Sequence, residues 1–459
     1  LISSIIFQRE ITMINSIPRS RSMRTILLIL GTLIVSAVGA SSAHATAPPT
    51  VDTASEWFQV TQDTVGAAAI SAQSSNSRIW ALSWSAAYNA LDKPTHKWRW
   101  HGHRQKRHKL HSSHNEVVLN GTFAEAALAN AVHDVLVNLV PSRAAQLDAS
   151  LATTLGRLPD GWQKFKGSAA GQKAAAAELA DRSADGLDFA SVNQPFTPGP
   201  AVTGAWQFTP PFGPPVQAGL PNAKPFFLGY ASRFRPGPAP APGDAAYRQS
   251  YNEIKDLGSL TSPSRTAAQT DLAKWISQTS LNQYTQALKA ILASAPNKSL
   301  AWKVSLVAVF HTVTADAQIA VFEAKYHYLR WRPITAIRAG DTDGDSQTAG
   351  DAAWTPLLNP PQHPEYPSGH LTYAGAAKEV LTKFVGPNAP QPFTATSPNA
   401  PGLIYTYGPN AWTKLVEDND NGRVWSGIHF RFSDTIGAEL GKKVANYDLH
   451  EIEGRFLGF

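Results

Sequence analysis

Apolar residues recur at helical spacing through most of this chain, and no convincing run of alternating strand residues interrupts them. That pattern confines the chain to packing helices against helices. Segments 46–90, 120–156 and 168–186 carry it first, and 79–90 is apolar and Ala-rich enough to be a buried helix. It returns from residue 245 and is strongest over 271–278, 281–294 and 299–330. With no cysteine anywhere, disulfides, thiol chemistry and thiolate metal sites are excluded, and stability has to come from core burial.

The interruptions set the organisation. Prolines break the helical pattern between 195 and 244, yet Trp206, Phe208, Phe212, Phe226, Phe227, Tyr230 and Phe234 also lie there. A flexible linker would not carry so many aromatics. The tract reads as an ordered strap between two helical bundles: an N-terminal lobe over 46–194 and a C-terminal bundle over 245–459. The expected fold is therefore all-α. Within the first lobe, 92–115 crowds six histidines and seven Lys/Arg and reads as an exposed insertion.

Residues 1–45 read as a targeting segment. Arg19, Arg21 and Arg24 precede an apolar run over 26–38, and Ala43-His44-Ala45 has the small-x-small form of a cleavage site. The mature chain is expected to begin near Thr46, secreted or periplasmic, with no stable membrane span after cleavage. The only methionines are Met13 and Met23, and Met23 directly precedes the signal-like pattern, so residues 1–22 read as an upstream extension. Four arginines against one glutamate place +3 of the net +6 in this segment. The remaining charge is too small to argue for a nucleic-acid partner.

Three segments in the last third carry chemistry. Lys325 and Arg332 stand seven apart before Pro333, close to two helical turns, so one helix face would present both cations until the proline ends or kinks it. Pro364-Glu365-Tyr366-Pro367-Ser368-Gly369-His370 precedes a helical run over 371–385. Ser368 is placed to cap that helix, its first-turn N–H groups suit an anion, and His370 is placed for proton transfer. Arg423 and His429 pair a guanidinium with an imidazole. Each segment alone has a plain structural explanation: a solvated basic face, a capped helix with an incidental histidine, or a surface arginine near a core histidine. Together they describe one pocket. Two arginines and a lysine would neutralise a tetrahedral oxyanion, and two histidines would supply a ligand or nucleophile and a general acid.

The order Lys-x6-Arg-Pro, Pro-Ser-Gly-His, Arg-x5-His resembles the vanadium haloperoxidase and type 2 phosphatidic acid phosphatase superfamily. DAQIAVFEAKYHYLRWRPITAI, TGAWQFTPP, FRPGPAPAP and SPSRTAAQT resemble its bacterial haloperoxidase-related branch, so the likeness covers roughly residues 56–455. It implies a vanadium chloroperoxidase-like fold with vanadate as cofactor and phosphate able to occupy the same site. It implies that His429 bonds the metal, that Lys325, Arg332, Ser368, Gly369 and Arg423 hold the oxyanion, and that His370 is the acid–base catalyst. Hydrogen peroxide, a halide and a small organic acceptor would be the reaction partners. In the phosphatase version His429 attacks phosphorus and His370 protonates the leaving alcohol. A third reading is a degenerate protein that only captures the anion.

The chain departs from the pattern at two places. Gly422 stands where a serine usually precedes the third-motif arginine, and Ser433 stands where an acid often orients the metal-bound histidine, with Asp434 one later. His363, seven before His370, resembles the algal bromoperoxidases and is a halide-site candidate, or it closes a Pro-rich turn. Asp341, Asp343 and Asp345 resemble the start of a calcium loop, but Ser346 and Ala352 occupy the positions of its glycine and glutamate. That segment, the histidines of the insertion, and Trp98 and Trp100 among basic residues are read as solvated loops.

Overall fold

The computed structural model describes residues 52–91 and 121–456, so the expected signal segment and the His-rich insertion lie outside the described residues. Five helices come first: α1 (Thr53–Ala68), α2 (Gln73–Leu91), α3 (Gly121–Leu139), α4 (Ala144–Arg157) and α5 (Trp162–Asp181). A single turn, α6 (Phe189–Val192), leads into the strap. Beyond it come α7 (Ala245–Leu257), α8 (Ala267–Ile276), α9 (Ser280–Ala293), α10 (Leu300–Tyr328), α11 (Pro333–Arg338) and α12 (Gly369–Val385). After α12 follow the strands β1 (Phe393–Thr396) and β2 (Ile404–Tyr407), then α13 (Ala411–Trp425) and α14 (Arg431–Phe456). The architecture is that of the expected helical fold, with one correction. β1 and β2 form an antiparallel hairpin, Phe393 opposite Tyr407, and four-residue strands are too short for alternation to stand out in sequence.

The helix α10 is the axis of the molecule. Ser299 caps it, its hydroxyl accepting from the Trp302 N–H at 3.2 Å. Between 303 and 325 almost every side chain is buried, so the helix is apolar all round. It packs on α2 from the first bundle and on α12 and α14 from the second, and one continuous core joins the two bundles. Taken singly, α10 is the one described helix long and apolar enough to cross a membrane; 94% of that window is buried inside the protein.

The strap is ordered because α10 supplies polar anchors for it. Asp316, fully buried on α10, accepts the N–H groups of Phe226, Phe227 and Leu228 at 2.5, 2.6 and 2.9 Å. From α5's end, Arg182 donates to the carbonyls of Lys224 and Pro225. Further along, the strap pairs with the end of α10: Trp206 N–H donates to Leu329 O at 2.6 Å and Trp331 N–H to Gly204 O at 2.9 Å. Trp206, Phe226 and Phe227 are buried, as the aromatic content of this tract predicts.

Close helix packing then sets the second bundle. At Gly441, where α14 crosses α12, a Cβ would lie 1.9 Å from the Thr372 carbonyl oxygen, so only glycine permits this approach. The crossing brings the start of α12 beside the start of α14, and Ser368 N–H donates to Ser433 O at 3.1 Å.

Asp316→Ala leaves three strap N–H groups without their acceptor in a buried setting. We expect a loss of about 3 kcal/mol or more in unfolding free energy, read by urea denaturation; a loss within about 0.5 kcal/mol would show that the strap is held by its aromatics alone.

Candidate active site

Lys325 lies in the last turn of α10, fully buried, and its Nζ donates to the carbonyls of Pro364 and Glu365 at 2.9 and 2.8 Å. The helix stops at Tyr328 because Leu329 turns left-handed (φ 48) and its carbonyl is taken by the strap. Lys325 and Arg332 therefore do not share a helix face, which corrects the reading from spacing. Arg332 is extended (φ −80, ψ 157), and Pro333 opens α11 instead of ending α10.

The two cations still converge, through tertiary contacts. Arg332 Nε donates to His363 O at 3.0 Å and Nη1 to Ile428 O at 2.9 Å. The same guanidinium faces two imidazoles, Nη1 at 3.3 Å from His429 Nε2 and Nη2 at 3.0 Å from His363 Nδ1. Arg423, in the last turn of α13, is 3% exposed, and its Nε has no hydrogen-bond partner among the described residues. His429 sits in the short link between α13 and α14. Gly427 makes that link turn at φ 79, where a Cβ would also meet Gly258 O at 2.4 Å.

Ser368 takes the N-cap position of α12, but its hydroxyl makes no capping bond, contrary to expectation. The Oγ is buried and turned toward the Asp434 carboxyl instead. Gly369 follows at the first helical position next to Lys325. His370, one residue on, lies 3.0 Å from Gln278 O through Nε2, so Nε2 carries the proton and Nδ1 is left basic.

Electrostatics follow from burial. Desolvation pulls Lys325 well below the usual lysine range, helped by Arg332 and opposed by Glu365. Arg332 and Arg423 are drawn down to about 9 and about 10 by the same desolvation, which Glu365 opposes at Arg332 and Asp434 at Arg423. His429 and His363 are pushed well below 6.5 by burial and by the surrounding cations, and His370 to about 3 by burial and Arg423. All three imidazoles are neutral at physiological pH. Burial pushes Asp434 well above the usual carboxyl range, and pushes Glu365 up against the pull of Lys325 and Arg332.

This pocket suits a tetrahedral oxyanion. Arg423 Nε is a buried donor with no hydrogen-bond partner among the described residues, Ser368 Oγ is buried beside Asp434, and three cations face two carboxyl groups. The family described as the VCPO second helical-bundle domain matches residues 305–456, the span that holds every cation and histidine of the pocket. Residues 305–456 thus resemble the second helical bundle of the vanadium chloroperoxidase family. Among curated relatives, the vanadium chloroperoxidase of Curvularia inaequalis is 23% identical over 192 residues, 32% of this chain and 31% of that protein. The chain thus matches about a third of that relative's length. A bacterial vanadium-dependent iodoperoxidase shares the fold with a TM-score of 0.68 at 21% identity, covering 86% of this chain and 96% of that one. An apo-type bacterial vanadium-dependent chloroperoxidase follows at 0.65 and 18%, covering 83% and 93%.

Set in this fold, all seven pocket residues read from sequence come together, and His363 lies against them, 8% exposed, its ring 5.1 Å from Phe322. Two site residues were not foreseen. Gln278, at the junction of α8 and α9, reaches His370 through its backbone carbonyl, for which no side-chain signal exists. Glu365, quoted within the second motif but given no role, sends its carboxylate to His429 Nδ1 at 2.9 Å. A cavity of about 1170 Å³ lined by Trp80, Gln278, Thr279 and Phe393 shares Gln278 with the site but none of the seven. The Asp341 and Asp343 carboxylates accept from Gly350 N and Asp345 N within their own loop, and Asp345 accepts from Arg248 Nε on α7. No group of three metal-binding carboxylates or histidines occurs among the described residues.

Arg332→Lys keeps the charge, but an ammonium cannot serve two carbonyls and two imidazoles at once. We expect inorganic phosphate to bind at least about 10-fold more weakly by calorimetry, with a lower melting temperature. Unchanged phosphate binding would mean that Arg332 is structural only.

Proposed function

We propose that the protein is a vanadate-dependent haloperoxidase, oxidising halide with hydrogen peroxide to a hypohalous species. One observation carries the reading: His429 is a neutral imidazole whose Nε2 faces the ring of Lys325, Arg332 and Arg423 while Nδ1 is held from behind. A cationic cradle with one aimed nitrogen suits an oxyanion that also takes a nitrogen ligand. Vanadate, when bound, would supply the Lewis acidity that activates peroxide toward halide.

The chain's own residues divide the remaining work. Lys325, Arg332 and Arg423 neutralise the anion's charge, and Ser368 Oγ and the Gly369 N–H satisfy its oxygens. His370 would act from Nδ1, which is unprotonated at neutral pH: it would accept a proton from peroxide and return one to the oxygen that leaves as water. The reaction as a whole consumes one proton per halide oxidised; because His370 takes one and returns one, the consumed proton comes from solvent. The names of the similar proteins favour this reading over a phosphohistidine phosphatase, which would use the same pocket with His429 as nucleophile and His370 as acid.

The test is a side-by-side assay of bromide oxidation and phosphate-ester hydrolysis on protein purified without phosphate. Halide oxidation should require orthovanadate and be competed by phosphate. His429→Ala should lose most vanadate affinity, whereas His370→Ala should keep it and lose about 10²–10⁴-fold in turnover. Ester hydrolysis without vanadate, and no halide oxidation with it, would make the protein a phosphatase instead.

We also place the mature protein outside the cytoplasm, on the signal-like pattern of residues 1–45. N-terminal sequencing of exported protein should begin near Thr46, and retention of residues 1–45 would refute export by cleavage.

A further inference from the structure

We propose that Glu365 is the positioning residue of the site, selecting the tautomer of His429 that leaves Nε2 aimed at the oxyanion; this rests on the anion-site reading above. The argument is geometric. Glu365 is fully buried, and its Oε1 accepts from two donors, His429 Nδ1 at 2.9 Å and the Phe430 N–H at 3.1 Å. The backbone donor admits only an acceptor at that point, so the imidazole must bring its proton on Nδ1. A second contact reaches the same conclusion from the other side of the ring. Arg332 Nη1, which can only donate, lies 3.3 Å from His429 Nε2, so Nε2 presents a lone pair.

The carboxylate is itself held before any ligand arrives. Glu365 N–H donates to Arg330 O at 2.9 Å, and Lys325 Nζ takes the carbonyls of Pro364 and Glu365. Thus the residues that form the cradle also fix the backbone that carries the orienting group. Asp434, the other carboxyl in the pocket, makes no bond to His429: it lies beside Ser368 and Arg423. Ser433 supports Glu365 rather than His429: its carbonyl accepts from Ser368 N–H, and its hydroxyl donates to the Glu365 carbonyl at 3.5 Å.

Without Glu365 the Nδ1 proton loses its acceptor, and the tautomer with hydrogen on Nε2 turns a donor toward the site of the ligand bond. Loss of such an outer partner typically weakens metal binding about 10–100-fold. Glu365→Gln separates charge from geometry. The Phe430 N–H holds the amide oxygen where Oε1 stood, so the Nδ1–H tautomer survives although the negative charge is gone.

The experiment has two readouts. The first is ¹⁵N NMR of the imidazole nitrogens in protein labelled at histidine, with the His429 signals identified by their absence in His429→Asn. Wild type and Glu365→Gln should show protonated Nδ1 and bare Nε2; Glu365→Ala should lose that signature. The second is calorimetric binding of orthovanadate and of inorganic phosphate. Glu365→Ala should lose about 10–100-fold in vanadate affinity, and Glu365→Gln should fall by less. A wild-type spectrum with Nε2 protonated overturns the proposal, as does a Glu365→Ala protein that binds vanadate like wild type. If Glu365→Ala does not fold, the wild-type and Glu365→Gln spectra decide. If wild type oxidises no halide, the proposed reaction falls, while the tautomer and phosphate results still judge Glu365.

Discussion

Burying three cations in one pocket is the constraint around which this protein is arranged. An ion moved from water into a protein interior loses solvation worth several kcal/mol even after relaxation. Lys325, Arg332 and Arg423 are each at most 3% exposed, and they also repel one another. The structure offsets this with carbonyls and carboxyls drawn from distant segments. Carbonyls of His363, Pro364, Glu365 and Ile428 receive Lys325 and Arg332, and Glu365 and Asp434 face the cluster. Arg332 and Glu365 both tie the segment before α12 to the link between α13 and α14. A polar cluster so dependent on long-range partners forms only when the whole bundle has closed.

The scaffold is suited to holding that geometry. The helix α10 touches both bundles along its length and delivers Lys325 from a helix whose other residues are packed. The strap closes over it on Asp316 and on the ladder-like pair at Leu329–Trp331, so the point where α10 ends is set by a second chain segment. Helix α12 approaches α14 closely at Gly441, which keeps Ser368 and His370 in register with His429. A catalytic group misplaced by about 1 Å can lose roughly 100-fold in rate, and packed helices resist such drift better than loops do.

Neutral histidines in a cationic pocket are the chemical consequence. Imidazoles that stayed charged would add to the repulsion, and only the neutral form offers a lone pair to a metal or to phosphorus. His370 and His429 reach that state by the same means, desolvation and nearby cations, but their second partners differ. A backbone carbonyl leaves Nδ1 of His370 basic, whereas a carboxylate leaves Nε2 of His429 available. Two chemically identical side chains thus present opposite ring nitrogens, and their environments divide the work between them.

Helical periodicity, the strap's aromatic content and the three motifs were legible in the sequence because each is a local pattern: spacing within one element reports the face it buries. The motifs named all seven pocket residues and the family whose second helical bundle residues 305–456 match. What local pattern could not give were the contacts across the fold. Seven-residue spacing suggested a shared helix face for Lys325 and Arg332, and the strap's pairing with the end of α10 broke it. Ser368 has the cap position without the cap bond, since its hydroxyl is turned into the pocket beside Asp434. The acid that meets His429 is Glu365, 64 residues earlier in sequence, and not a neighbour such as Asp434. Gln278 enters through a carbonyl that every residue possesses. Residue type and spacing determine which groups are available, but a hydrogen bond depends on an ångström-scale approach of two atoms, and for atoms far apart in sequence only the packed chain decides it.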